Sequence, residues 1–151
     1  MVSDSIERYR GVKGLYVLLI ELIGGFYRVG GFFEGDLPGG LYVYIGSAWG
    51  PGGLGGRVAR HLRRSKRMHW HIDWITSDDR ARVISVYLFP GLRGEDRLYR
   101  ALEPIGECVV PGFGSSDTRG SRCHFLRLRA GVDSLEKVLR GFYPYYVKIS
   151  I

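Results

Sequence analysis

The chain has 151 residues, 45% of them hydrophobic and 25% charged, with a formal net charge of +7 at pH 7 and a pI of about 9.6. That length and balance suit one globular domain, residues 1–151, with a real core. No apolar run approaches the roughly 18 residues that cross a bilayer, and "MVSDSIERYR" lacks the basic-then-apolar order of a signal peptide, so a cytoplasmic protein with no membrane partner is expected.

In chain order, residues 15–33 ("LYVLLIELIGGFYRVGGFF") read as a hairpin turning at Gly24-Gly25. Residues 34–40 read as a loop and 41–48 as a strand rich in Val, Ile and Tyr. A helix begins near Leu54, with Leu54, Val58 and Leu62 as its apolar stripe and Arg57, His61 and Arg64 on another face. Residues 68–76 are too mixed to assign. A strand over 81–90, a helix over 94–102 with acids in its first turn, a strand over 107–110 and a polar loop over 111–121 follow. Residues 122–130 read as an imperfect strand, 132–142 as a helix and 143–151 as a final strand. Mixed elements with an early hairpin predict an α+β fold: a small mixed or antiparallel central sheet flanked by helices.

Glycine is abundant, with 23 residues, about twice the usual share. Its clusters imply turns and one functional loop. Six cations, Arg57, Arg60, Arg63, Arg64, Lys66 and Arg67, fall within residues 57–67 with no acid among them. Such clustering is the footprint of a polyanion, with a solvated helix face or an anionic membrane patch as alternatives. Cys108 and Cys123 lie 15 apart with no CxxC pair, which rules out a four-thiolate zinc site within one chain. Two free thiols are expected in a reducing cytoplasm, a disulfide being the alternative, notably in a hyperthermophile. His69, His71 and Asp73 would share one face of an extended segment and could hold a metal; a packed aromatic segment is the preferred reading.

Gly14-Leu15-Tyr16 on the first strand, Tyr44-Ile45-Gly46 on the third, and Arg57 and His61 one turn apart on the following helix resemble the GIY-YIG nuclease superfamily. The strings "GSAWGPGGLGGRVARH", "HWHIDW" and "GFGSSD" resemble a largely archaeal branch of it, over residues 12 to 127 approximately. The resemblance implies a metal-dependent endonuclease that hydrolyses phosphodiester bonds, in DNA ahead of RNA, with Mg2+ or Mn2+ as cofactor. It assigns Tyr16 and Tyr44 to orienting or deprotonating water, Arg57 to the phosphate and His61 to an auxiliary place. Gly46 and the glycines after it would let backbone approach the nucleic acid, and Arg60, Arg63, Arg64, Lys66 and Arg67 would hold further phosphates. Glu95 is the positional match for the metal carboxylate, with Glu103 second. Tyr16 and Tyr44 are 28 apart, more than the dozen or so residues usual in the superfamily, so the hairpin joining them is extended. The branch often carries two cysteines and a histidine just after "GSSD"; Thr118 and Gly120 stand at the cysteine places here, leaving Cys123 and His124 displaced. The metal assignment therefore rests on Glu95. A catalytically inactive nucleic-acid-binding module on the same fold is the alternative.

Overall fold

The structure, a computed structural model, describes residues 1–115 and 121–151; Thr118 and Gly120 lie outside the described residues. Among those described there are five helices: α1 (Val2–Glu7), α2 (Gly53–Leu62), α3 (Asp73–Thr76), α4 (Glu95–Leu102) and α5 (Val132–Phe142). The eight strands are β1 (Gly14–Leu22), β2 (Gly25–Val29), β3 (Phe33–Leu37), β4 (Gly40–Ser47), β5 (Ala81–Pro90), β6 (Gly106–Cys108), β7 (Phe125–Leu128) and β8 (Val147–Ser150). Six of them form one antiparallel sheet in the order β6-β7-β4-β1-β5-β8, and β2 and β3 form a separate ribbon. The architecture is α+β, as expected, with an antiparallel rather than mixed central sheet.

β1 sits between β4 and β5 and is buried at every position except Glu21. Its unbroken apolar run can be satisfied only by neighbours on both sides and layers on both faces. β2 alternates buried and exposed positions, so it can cover only one face. This difference overturns the hairpin expected about Gly24-Gly25: β1 pairs with β4 through residues 15–22, and β2 pairs instead with β3. Gly24 lies at the neck where the ribbon leaves the sheet. A Cβ there would meet the Gly39 nitrogen at 2.8 Å, so the two chain crossings touch backbone to backbone. Residues 34–37, expected in a loop, belong to the returning strand of the ribbon.

β5 and α5 occupy the expected residues, while the last three strands are shorter than read, β7 covering only Phe125–Leu128. The core joins β1, β4 and β5 to Leu54 and Val58 of α2, Leu98 and Leu102 of α4, and Leu135 and Leu139 of α5. Cys108 and Cys123 are paired as a disulfide across 6.1 Å between Cα atoms, within the normal span for such bonds. The expectation of two free thiols is thus corrected: β6 and the segment entering β7 bring both sulfurs together. No helix among the described residues is long and apolar enough to cross a membrane.

Candidate active site

Register places the first three site residues. Tyr16 of β1 lies opposite Gly46 of β4, and Tyr44, two residues before Gly46, projects to the same face. The Tyr16 ring lies over Gly46, where a Cβ would come within 2.1 Å of the ring carbon bearing the hydroxyl. Gly46 is itself buried. Its role is therefore to admit the tyrosine ring, not to bring backbone up to a nucleic acid as expected.

The glycines that follow also have an internal partner. A Cβ on Gly53 would lie 2.6 Å from the Val12 carbonyl oxygen, and one on Gly55 would lie 2.5 Å from the Arg10 nitrogen. The Leu54 and Gly55 amides donate to the Val12 and Tyr9 carbonyls at 2.7 and 2.9 Å. The start of α2 is thus sealed against the α1 segment, and these amides are not free for a phosphate.

From that docked start, α2 delivers His61 and Arg57 to the tyrosines. His61 is buried, and its Nε2 shares a 2.6 Å hydrogen bond with the Tyr16 hydroxyl. The Tyr16 and Tyr44 rings are 6.4 Å apart, and Tyr44 meets His61 edge-on at 5.9 Å. Arg57 donates to the Ser47 carbonyl at 2.9 Å. Its guanidinium lies 4.3 Å from the centre of the Trp70 ring, and that of Arg60 lies 4.4 Å from the same ring. Trp70 therefore steadies both arginines through cation–π contact.

The electrostatics tie these groups into one site. Burial drives the Tyr16 hydroxyl well above its ordinary pKa, with Tyr44 adding to the rise and Arg57 opposing it. Tyr44 is raised chiefly by burial and next by the carboxylate of Glu95, again against Arg57. Glu95, at the start of α4, is itself raised by burial and by neighbouring Asp96, with Arg57 pulling the other way. The charges of Arg57 and Glu95 thus reach both tyrosine hydroxyls, and that of Arg57 reaches Glu95. Glu103, the second acid considered, is exposed and accepts from the Tyr99 hydroxyl at 2.9 Å.

Two buried histidines were less legible. His61 is held neutral, its pKa pulled down to about 3 by burial first and then by Lys66, with Asp73 opposing. His124, fully buried, places Nδ1 3.4 Å from a Glu95 oxygen, and burial lowers its pKa too. The unfolded chain takes up protons near pH 6.5 that these rings refuse when folded. Stability is therefore expected to be full above pH 6.5 and to fall as the pH drops from there toward 3. Thermal melts at pH 7.5 and 5 check this, and an equal Tm at both contradicts it.

Three of the six clustered cations are engaged by the protein's own oxygen atoms, correcting their expected role as free phosphate contacts. Arg60 forms a two-pronged pair with buried Asp73 at 2.7 and 2.8 Å. Arg64 donates to the Asp78 and Ala81 carbonyls at 2.6 and 2.9 Å. Lys66 donates to the Arg60 and His61 carbonyls and to Thr76 Oγ1, closing the end of α2. Burial lowers the Lys66 pKa to about 8. Arg63 and Arg67 remain exposed, with no side-chain hydrogen bond among the described residues.

Nor do His69, His71 and Asp73 gather as metal ligands. Asp73 is occupied by Arg60 and by the His69 and Trp70 amides. His71 stacks on Phe32 at 4.1 Å and accepts from the Gly114 amide at 2.9 Å. The packed aromatic segment is what forms, and it places Trp70, which residue pattern alone had not singled out. No group of three or more potential ligands from His, Cys, Asp and Glu occurs among the described residues.

Glu95 and Asp96 line a cleft of about 260 Å³ with Leu15, Ser47, Trp49 and Arg93. A hard oxygen donor set of this size suits Mg2+ or Mn2+, which commonly take one or two carboxylates and complete their shell with water and substrate phosphate.

Fold and site together define an α+β domain with a tyrosine–histidine–arginine–carboxylate centre at one face of its sheet. Residues 15–144 match the family described as Domain of unknown function DUF123, and the chain belongs to that family. No curated protein and no solved structure matches the chain.

Proposed function

We propose that this protein is a metal-dependent endonuclease of the GIY-YIG type, hydrolysing phosphodiester bonds in DNA ahead of RNA. The observation that carries the reading is the packing of Tyr16 and Tyr44 around His61, which is bonded to Tyr16, with Arg57 held nearby on Trp70; the charges of Arg57 and Glu95 reach both hydroxyls. Glu95 is the residue that would hold Mg2+ or Mn2+, with Asp96 beside it. A bound divalent cation would supply charge stabilisation at the phosphoryl oxygens.

The remaining roles belong to the chain's own side chains. Tyr16 is too strongly shifted to be a standing phenolate near pH 7. In the tautomer with a bare Nε2, neutral His61 accepts a hydrogen bond from the Tyr16 hydroxyl and so fixes that oxygen, whose lone pairs can then orient a water. Tyr44 offers a second hydroxyl on the same face. Arg57 is held by the Ser47 carbonyl and the Trp70 ring, and its remaining N–H groups can brace the charge that grows on the phosphate.

The second reading, an inactive nucleic-acid-binding module, draws on one observation: Tyr16 is 1% exposed and Tyr44 7%. An active enzyme must therefore admit a water to buried hydroxyls. Incubating the protein with labelled duplex, branched and single-stranded DNA, and with the matching RNAs, in Mg2+ or Mn2+ separates the two. Cleavage of at least one substrate is expected. Salt-sensitive binding without cleavage of any would establish the module instead.

A further inference from the structure

Two neighbouring surface features take no part in the candidate active site. The first is a basic cleft of about 710 Å³ between the end of α2 and the segment before α3, with Arg60, Arg63, Lys66, Arg67 and His69 in its wall. The second, about 390 Å³, lies between the ribbon and α3 and is lined chiefly by Phe26, Arg28, Met68, Trp74 and Arg80. Met68 lines both, so cleft and groove meet there. Phe26 is 56% exposed and Trp74 37%, and both line this groove, an exposed apolar feature of the kind that marks interaction surfaces.

We propose that this joined surface binds single-stranded nucleic acid, Arg28, Arg63 and Arg67 holding phosphates while Phe26 and Trp74 stack on bases. Aromatic rings interleaved with cations match the two faces of an unpaired strand, whose bases are open to stacking. A duplex offers the same charge but keeps its base faces inside. Asp78, also in the groove wall, is engaged by Arg80 at 2.8 Å, so Arg28, Arg63 and Arg67 carry the excess positive charge. The ribbon is what creates this surface: β2 supplies Phe26, and Gly30 packs against the Trp74 indole.

The surface also adjoins the candidate active site. Arg60 lines the basic cleft, and its guanidinium shares the Trp70 ring with Arg57. A strand held at Arg57 thus has a route past Trp70 toward Met68 and the aromatic groove. The preferred substrate class is then nucleic acid with an unpaired tail beside the cut. This rests on the nucleic-acid reading of the basic segment, though not on cleavage.

The test is binding without cutting. In EDTA, fluorescence anisotropy compares a labelled single-stranded DNA oligonucleotide with a blunt duplex of the same sequence, at several salt concentrations. Tighter binding of the single strand is expected. Phe26→Ala should weaken it about tenfold, in line with the loss of one base stack, and leave duplex binding unchanged. Arg67→Ala should flatten the salt dependence by about 0.7 in the log–log slope, one phosphate's share. Melting curves establish that both variants fold. Equal affinity for duplex and single strand with Phe26→Ala silent would overturn the proposal, as would capture by phosphatidylserine vesicles with no binding of oligonucleotides. Cleavage that persists alongside either result would sink this proposal and leave the nuclease reading standing.

Discussion

Arg57→Ala is expected to slow phosphodiester cleavage by about two to three orders of magnitude, the usual loss when one preorganised charge donor is taken from a transition state. The residue is placed for that role with little freedom. Ser47 takes one of its N–H groups, Trp70 covers its guanidinium, and the field of its charge reaches Tyr16, Tyr44 and Glu95. Lysine would keep the charge but lose the planar fork, and so should recover only part of the rate. Because Arg57 is part-exposed, its removal leaves the core intact, and substrate binding should weaken far less than kcat. A rate within a fewfold of wild type, measured under single-turnover conditions, would remove Arg57 from the chemistry.

The second large effect is on stability. Asp73 is wholly buried and accepts four hydrogen bonds, two from Arg60 and one each from the His69 and Trp70 amides. Burial pushes its carboxyl up, but Arg60 and the two amides outweigh that and hold it below its ordinary pKa. Asp73→Ala leaves a part-buried guanidinium and two amides without their acceptor, a change expected to cost about 3–5 kcal/mol. Asp73→Asn keeps an acceptor oxygen and should cost less. Urea unfolding measures both, and an alanine variant within about 0.5 kcal/mol of wild type, the scale of an ordinary surface change, would contradict the pairing. Damage here should also reach the site, since the same turn presents Trp70 to Arg57.

Much of the fold was legible where pattern and packing agree. β5 has a continuous apolar stretch ending at a proline, and α5 carries its buried leucines four apart, at Leu135 and Leu139. Both occupy the residues expected from those signals. Gly24-Gly25 misled because a pair of glycines serves equally for a tight turn and for a neck where two backbones touch. Only the two-sided burial of β1 decides between them, and that depends on partners far along the chain.

The site divides in the same way. Tyr16, Tyr44 and Gly46 could be placed together because the strings that hold them resemble a family pattern, and the register sets Tyr16 against Gly46. The cations could not be sorted from sequence: charge clustering does not say that Arg60 meets Asp73, that Arg64 meets two backbone carbonyls, or that Lys66 closes its own helix. Trp70 and His124 owe their positions to irregular segments brought up against the sheet, for which residue pattern holds no local signal. The glycine loop suits an anion cradle by composition and is instead a docking surface for the end of α1 and residues 9–12, because the same lack of a side chain serves either purpose.

The proposed place of Glu95, as the carboxylate of a metal-dependent hydrolytic centre built with Tyr16, Tyr44 and Arg57, ties cleavage to that one side chain. It is tested most directly by cleavage rate against Mg2+ or Mn2+ concentration, for wild type and Glu95→Gln, on the substrate that wild type cuts. The prediction is a saturable, EDTA-sensitive rate in wild type and a loss of at least about a hundredfold in the folded glutamine variant. Equal rates and equal metal dependence in the two proteins would contradict it.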